Sequence, residues 1–270
     1  AVKFQTYRAD RHVVKESGSA PQIENGKTIY ETLTELEMPY EWIPKLYDYA
    51  HEKGVEFLST PFDERSAAEL EEYVPVWKVA SYTSSHHPFL KHLAQTDKPI
   101  IMSTGAHELE EVRESVSVLR ESGVADLVLL QCVAAYPTPL SEINVRVIET
   151  LQEDFNVPTG LSDHTRNPVT GPSAAVALGA SVVEKHITLD KSMEGPDHQF
   201  ALEPDELGKM VDAIRKTESV LGSGTKEVVE VEEELHDIAR RRIHAVRDIE
   251  AGEKITGDNV AILRSGKRKN

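Results

Sequence analysis

His164 closes the run Gly160-Leu161-Ser162-Asp163-His164-Thr165, and His186 follows Glu184-Lys185, 22 positions later. If each stands at the end of a strand one strand–helix unit apart in a parallel barrel, both imidazoles can reach a single ion. Two protein ligands leave positions open for substrate and water, as a catalytic metal site requires and a structural one does not. Imidazoles joined by oxygen donors suit several divalent ions, so the spacing leaves the metal undecided. A lone strand-end histidine more often hydrogen-bonds at the rim; it is the pair that points to a metal.

Lys3 and Lys78 lie inside apolar runs, AVKFQ and VWKVAS, where a solvated lysine is out of place. A lysine there either extends along its stem to water or, aimed into an enclosed mouth, needs an anion such as a phosphate or carboxylate. Ser81, Ser103 and Ser162 supply hydroxyl donors for the same anion, and together these residues describe a phosphate pocket. The competing use of such a lysine is as a Schiff-base nucleophile.

These residues need elements that bring them to one place. Seven short β-branched runs recur at 1–5, 55–60, 76–81, 99–105, 127–133, 158–163 and 182–188, with helical spacing between them. That alternation predicts parallel strands in βα units, and the nearly continuous apolar character of the runs predicts strands covered on both faces. Val112, Val116 and Leu119 mark one core-facing helix, and Leu207, Met210, Val211, Ile214 and Leu221 another that starts at Pro204. Polar or small residues gather at the C-terminal end of strand after strand: Gln5, Thr60, Ser81, Ser103, Tyr136, Ser162, His164 and His186. In a doubly wound sheet only strands near the switch point face a ligand, whereas in a barrel all strand ends converge on one mouth, so the set favours a barrel.

Composition narrows the function classes. At 270 residues, 39% hydrophobic and 28% charged, the chain is that of a folded globular protein. The formal charge of −16 opposes phosphate-driven nucleic-acid binding, so small molecules and other subunits are the expected partners. A single cysteine, Cys132, excludes an internal disulfide and a cysteine-rich metal site. No apolar run of about 18 residues suggests a membrane span, the first residues lack the segments of a signal peptide, and a cytoplasmic location is expected. Past Leu221 the composition shifts through Gly222-Ser223-Gly224 to an acidic stretch from Glu227 to Asp237, then Arg240-Arg241-Arg242. The expected division is a barrel at 1–222, a linker at 223–240, and a segment at 241–270 too small to fold without docking.

The runs AVKFQ, STPFD, KVAS, IMSTG, CVAAYPTP, GLSDHT, EKHITLD and GPDHQFALEP, in this order and spacing, resemble the sialic acid synthase family, which includes the legionaminic and pseudaminic acid synthases and spore-coat polysaccharide enzymes. GLSDHT followed by EKH and GPDH is a specific combination; STPF or IMSTG alone is weak. The resemblance implies a (β/α)8 TIM-type barrel followed by an antifreeze-like (SAF) β domain, of which 241–270 with DIEAGEKIT is similar to the first part. It implies condensation of phosphoenolpyruvate with an N-acetylmannosamine-like amino-sugar aldehyde to a sialic-acid-type nonulosonate and phosphate, in a domain-swapped homodimer. By resemblance His164 and His186 hold a divalent metal, Mn2+ before Mg2+ or Co2+. Lys3, Thr60, Lys78, Ser81, Ser103 and Ser162 would hold phosphoenolpyruvate, with His164, His186 and Lys78 catalytic. Gln5, Tyr136 and Asp197 would face the sugar, as would Arg264 across the dimer.

Three features depart from the family pattern. Thr83 stands where the family has a sugar-binding glutamate, Ala134 where it has a polar phosphoenolpyruvate ligand, and Ser265 where it has proline. The chain also opens at what resembles the family's second strand, so a barrel lacking its first strand and that strand's acidic residue is expected. Two rival readings remain. An aldolase using pyruvate itself would need no phosphate pocket and would form a trappable lysine adduct. A catalytically impaired sugar-binding relative would bind without turnover.

Overall fold

Every run read as a strand forms one. In the computed structural model, which describes residues 1–19, 26–264 and 266, the strands are β1 (Val2–Thr6), β2 (Phe57–Pro61), β3 (Trp77–Val79), β4 (Ile100–Ser103), β5 (Leu127–Cys132), β6 (Thr159–Asp163) and β7 (Val182–Lys185). Ser265 and residues 267–270, counted above with the C-terminal segment, lie outside the described residues. Between β1 and β2 come α1 (Ala9–His12), α2 (Ile29–Glu35) and α3 (Ile43–Glu52). The later strands are followed in turn by α4 (Glu64–Leu70), α5 (His87–Ala94), α6 (Leu109–Glu121), α7 (Val147–Phe155), α8 (Thr170–Ala177) and α9 (Pro204–Leu221). β1 pairs with β2, and β3 to β7 form a five-stranded sheet in sequence order; every pairing is parallel.

Side-chain alternation assigns the two faces. Trp77, Val79, Ile100, Met102, Leu127 and Leu129 point to the helices and pack with Phe89, Leu90, Leu93, Val112, Val116 and Leu119. The opposite face carries Lys78, Ser103, Ser162 and Glu184, and Cys132, Ser162 and Glu184 share one row of the ladder. On a flat sheet, six steps of about 4.8 Å would put the first and seventh strands roughly 29 Å apart. Lys3 Nζ on β1 instead lies 3.8 Å from Glu184 Oε1 on β7. The sheet is therefore curled as a half-barrel around a polar interior.

Gly160 is required by this curl. A Cβ there would sit 2.2 Å from the Val182 carbonyl oxygen and 2.7 Å from Leu130 Cδ2, so only glycine lets β6 and β7 approach. Where β2 ends, Asp63 accepts hydrogen bonds at 3.0 Å from the N–H groups of Arg65 and Ser66 and caps α4.

The α9 stripe departs from expectation. Met210 is buried, but Val211 is 45% and Leu221 48% exposed, because α9 packs chiefly along α8 and its last turn finds no cover within its unit.

The chain divides into two compact units, Ala1–Leu221 and Gly222–Asn270. In the second, a 3-10 turn at Glu230–Glu232 leads into α10 (Glu233–Ala239), and β8 (Arg241–Ala245) pairs antiparallel with β9 (Val260–Arg264), setting Ile243 opposite Ile262. Among the described residues no helix is long and apolar enough to cross a membrane.

Candidate active site

Two groups of side chains meet at the C-terminal ends of the strands. The first surrounds Glu184, whose carboxylate lies 3.8 Å from Lys3 Nζ and 3.7 Å from Lys78 Nζ and accepts a hydrogen bond from Ser162 Oγ at 3.2 Å. Lys78 is buried and donates to Ser103 Oγ at 2.7 Å and to the Val79 carbonyl at 3.0 Å. Lys3 also donates to the buried Thr60 hydroxyl at 3.4 Å. Five of the six residues expected to hold an anion thus join one network, with Glu184 at its centre. The sixth, Ser81, accepts from the Gly105 N–H at 2.9 Å and donates to Cys132 Sγ at 3.5 Å.

Burial works against the Glu184 carboxylate, but Lys78 and Lys3 outweigh it and hold its pKa down at about 2, so it is ionised. Burial likewise draws the Lys78 ammonium below the usual lysine range, and Glu184 opposes that shift. The Glu184 carboxylate thus lies between the Lys3 and Lys78 side chains on the interior face.

The second group is a ring cluster. The His164 and His186 centroids are 5.3 Å apart at 71°, and the Tyr136 ring lies 4.3 Å from His164 and 6.2 Å from His186. Phe200 closes the far side, 5.1 Å from His186 and 5.6 Å from Tyr136. His164 Nδ1 is 2.8 Å from the Val133 carbonyl, which can only accept, so Nδ1 carries the proton and Nε2 keeps its lone pair. Burial lowers the His164 pKa to about 4, and the neutral ring is the form that binds a metal. His186 Nδ1 faces Asp197 Oδ2 at 3.2 Å, so in a neutral ring the proton sits on Nδ1 and Nε2 is the acceptor. Burial would raise the Asp197 pKa, but its hydrogen bond and charge interaction with His186 hold it below the usual range.

Each imidazole thus has one nitrogen anchored by an oxygen acceptor and the other available, as in histidine metal ligands. No group of three or more His, Cys, Asp or Glu side chains that could hold a metal ion is found among the described residues. Tyr136 is further fixed by burial, which raises its pKa and keeps the phenol protonated. Cys132 Sγ, 3.9 Å from His164 Nδ1 and 3.5 Å from Ser81 Oγ, joins Ser81 to the ring cluster.

Gln5 stands beside Thr60 in the ladder and is exposed. Arg264 is an exposed residue of β9, opposite Arg241, in the second unit. Thr83 is buried in the 3-10 turn after β3, with its N–H donated to the Ala80 carbonyl. Sequence reading missed Glu184, Phe200 and the Val133 carbonyl. The signal for Glu184 was its place two residues before His186, which puts it on the same face of the strand.

The NeuB family model matches residues 1–226. The chain is 41% identical to the spore coat polysaccharide biosynthesis protein SpsE of Bacillus subtilis over 99% of this chain and 76% of that one. The SpsE crystal structure superposes with a TM-score of 0.70, covering 98% of this chain and 76% of that one. Identity is 38% to the N,N'-diacetyllegionaminic acid synthase of Legionella pneumophila, over 98% of this chain and 77% of that one. The structure of the N-acetylneuraminic acid (sialic acid) synthetase of Leptospira borgpetersenii in complex with citrate matches with a TM-score of 0.77 at 28% identity, covering 88% of this chain and 79% of that one.

Proposed function

The chain belongs to the NeuB family, and from that membership and the geometry of its site we propose that it is a nonulosonate synthase, joining phosphoenolpyruvate to an N-acetylmannosamine-like amino-sugar aldehyde. One observation supports the reading: the Lys3–Lys78–Glu184 cluster lies on the strand faces that lead to His164 and His186, whose ring centroids are 5.3 Å apart. Phosphoenolpyruvate is the substrate class that needs both, with a phosphate and a carboxylate for the lysines and an aldehyde partner for the electrophile.

Lys3, Lys78 and the hydroxyls of Thr60, Ser81, Ser103 and Ser162 bind and orient the two anionic groups. Preorganised charge of this kind commonly supplies the largest rate term. His164 and His186 hold the divalent ion, Mn2+ in our reading, which supplies Lewis-acid polarisation of the aldehyde oxygen when bound. C3 of phosphoenolpyruvate forms the new bond to the aldehyde carbon, water adds at C2, and the C2–O bond breaks to release phosphate. Lys78 and Lys3 stabilise the charge collecting on that leaving group. Asp197 orients His186, and Asp197, Tyr136 and Gln5 line the sugar side. Arg264 of a second copy would complete that side in a domain-swapped homodimer.

The test is phosphate release from phosphoenolpyruvate with a panel of 2-acetamido aldoses and Mn2+. Release that depends on both substrates and is abolished by chelation supports the reading. A borohydride-trapped lysine adduct with pyruvate and no release from phosphoenolpyruvate would replace it with a Schiff-base aldolase.

A further inference from the structure

The two histidines are each preceded by one member of a buried ion pair that the proposed chemistry does not use. Asp163 precedes His164 and Lys185 precedes His186, and the two are direct partners in the β6–β7 ladder. Lys185 Nζ lies 2.7 Å from Asp163 Oδ2, with the side chains 2% and 0% exposed. Strand alternation turns this pair to the face opposite Ser162 and Glu184, which place their side chains in the polar interior. Neither member of the pair touches the site.

Lys185 grips more than the carboxylate. It donates to the Thr165 carbonyl and, at 3.3 Å, to the Thr165 hydroxyl, while the Thr165 N–H donates to Asp163 Oδ1 at 2.8 Å. The residues on both sides of His164 are therefore held by the one side chain whose next neighbour is His186. A buried ion pair is poor glue, because desolvation cancels much of its attraction. What it does impose is one arrangement, since a one-residue slip of β7 would strand both charges and turn His186 away from the interior.

We propose that Asp163 and Lys185 are positioning residues that set the spacing of His164 and His186 for divalent metal binding. The inference rests on the reading of those histidines as metal ligands. Removing both charges together, in Asp163→Leu/Lys185→Met, avoids leaving either one alone and tends to preserve folding. Mn2+ affinity, followed by the loss of the free-ion electron paramagnetic resonance signal, is expected to fall about 10- to 100-fold, the usual effect of losing partners that orient ligands. Phosphoenolpyruvate affinity, measured by calorimetry without metal, should stay within about twofold because the Lys3–Lys78–Glu184 pocket lies on the other face. Asp163→Asn, which keeps the acceptor for Thr165, is the second variant and should show the same selective loss, carrying the test if the double variant does not fold. Unchanged Mn2+ affinity in a folded variant, or an equal loss for both ligands, would overturn the inference. Failure of the unaltered chain to bind Mn2+ while it still binds phosphoenolpyruvate would remove the metal reading itself and the inference with it.

Discussion

Glu184→Gln removes one negative charge from between two ammonium groups while keeping the size of the side chain and its ability to accept from Ser162. The drop from the ordinary 4.5 to about 2, at about 1.4 kcal/mol for each pH unit, corresponds to about 3 kcal/mol. With the side chain 22% exposed, little of this is screened. Lys78 tells the other half, because burial lowers its pKa in spite of Glu184, so the net worth of the pair is smaller than the carboxylate alone suggests. The substitution, however, keeps the buried ammonium and deletes only its counter-charge, so most of the 3 kcal/mol should be lost. For a unit of this size that is a melting-temperature fall of roughly 6–12 °C at pH 7. The pH dependence follows from the depressed carboxylate: its contribution is complete above about 4.5 and disappears as pH falls toward 2, where the folded carboxylate also takes up a proton. Thermal melts of parent and variant at pH 7, with denaturant midpoints between pH 5 and pH 2.5, measure both effects. A variant melting within about 2 °C of the parent, or one that keeps the parent's loss of stability in that acid window, would refute the central place given to Glu184.

Other substitutions probe separate parts of the site. His164 has its pKa lowered to about 4 from 6.5, so it adds stability that is full above 6.5 and declines as pH falls to about 4; His164→Asn should flatten that interval in denaturant titrations, and an unaltered slope counts against a buried neutral imidazole. Lys78→Met removes a charged donor worth about 1.5–3 kcal/mol and should weaken phosphoenolpyruvate roughly 10- to 100-fold, with sugar affinity unchanged; equal losses in separate titrations would disprove a dedicated anion pocket. Gly160→Ala drives a methyl to 2.2 Å from the Val182 carbonyl, so it should lower the melting temperature by more than Glu184→Gln does, or yield insoluble protein; a melt unchanged from the parent would show that β6 and β7 can move apart.

What could be read from sequence was whatever a local pattern encodes. All seven strands follow from apolar runs whose outward residues, such as Trp77 and Met102, pack on helices, and the Gly160–Thr165 motif marks where one of them ends at the mouth. Helix exposure was less legible, because the stripe on α9 has the right period whether or not a neighbour covers it, and Val211 is left half-exposed. Glu184 was the residue most in need of three dimensions. In the chain it is a polar letter between Val183 and Lys185, and its partners Lys3 and Lys78 lie 181 and 106 positions away. Two geometric facts bring them together: the β6–β7 register places Glu184 beside Ser162 on the interior face, and the curl of the sheet carries β1 around to β7. Neither fact is a property of any short window of sequence. The lysines nevertheless announced the need for such a residue, since two ammonium groups sharing one interior repel each other until an anion lies between them. An apolar strand that contains a lysine therefore carries information about a distant carboxylate. Here the sensible search is among the inward positions of the other strands, and it ends at Glu184, the one acidic residue that alternation turns inward on β2 to β7.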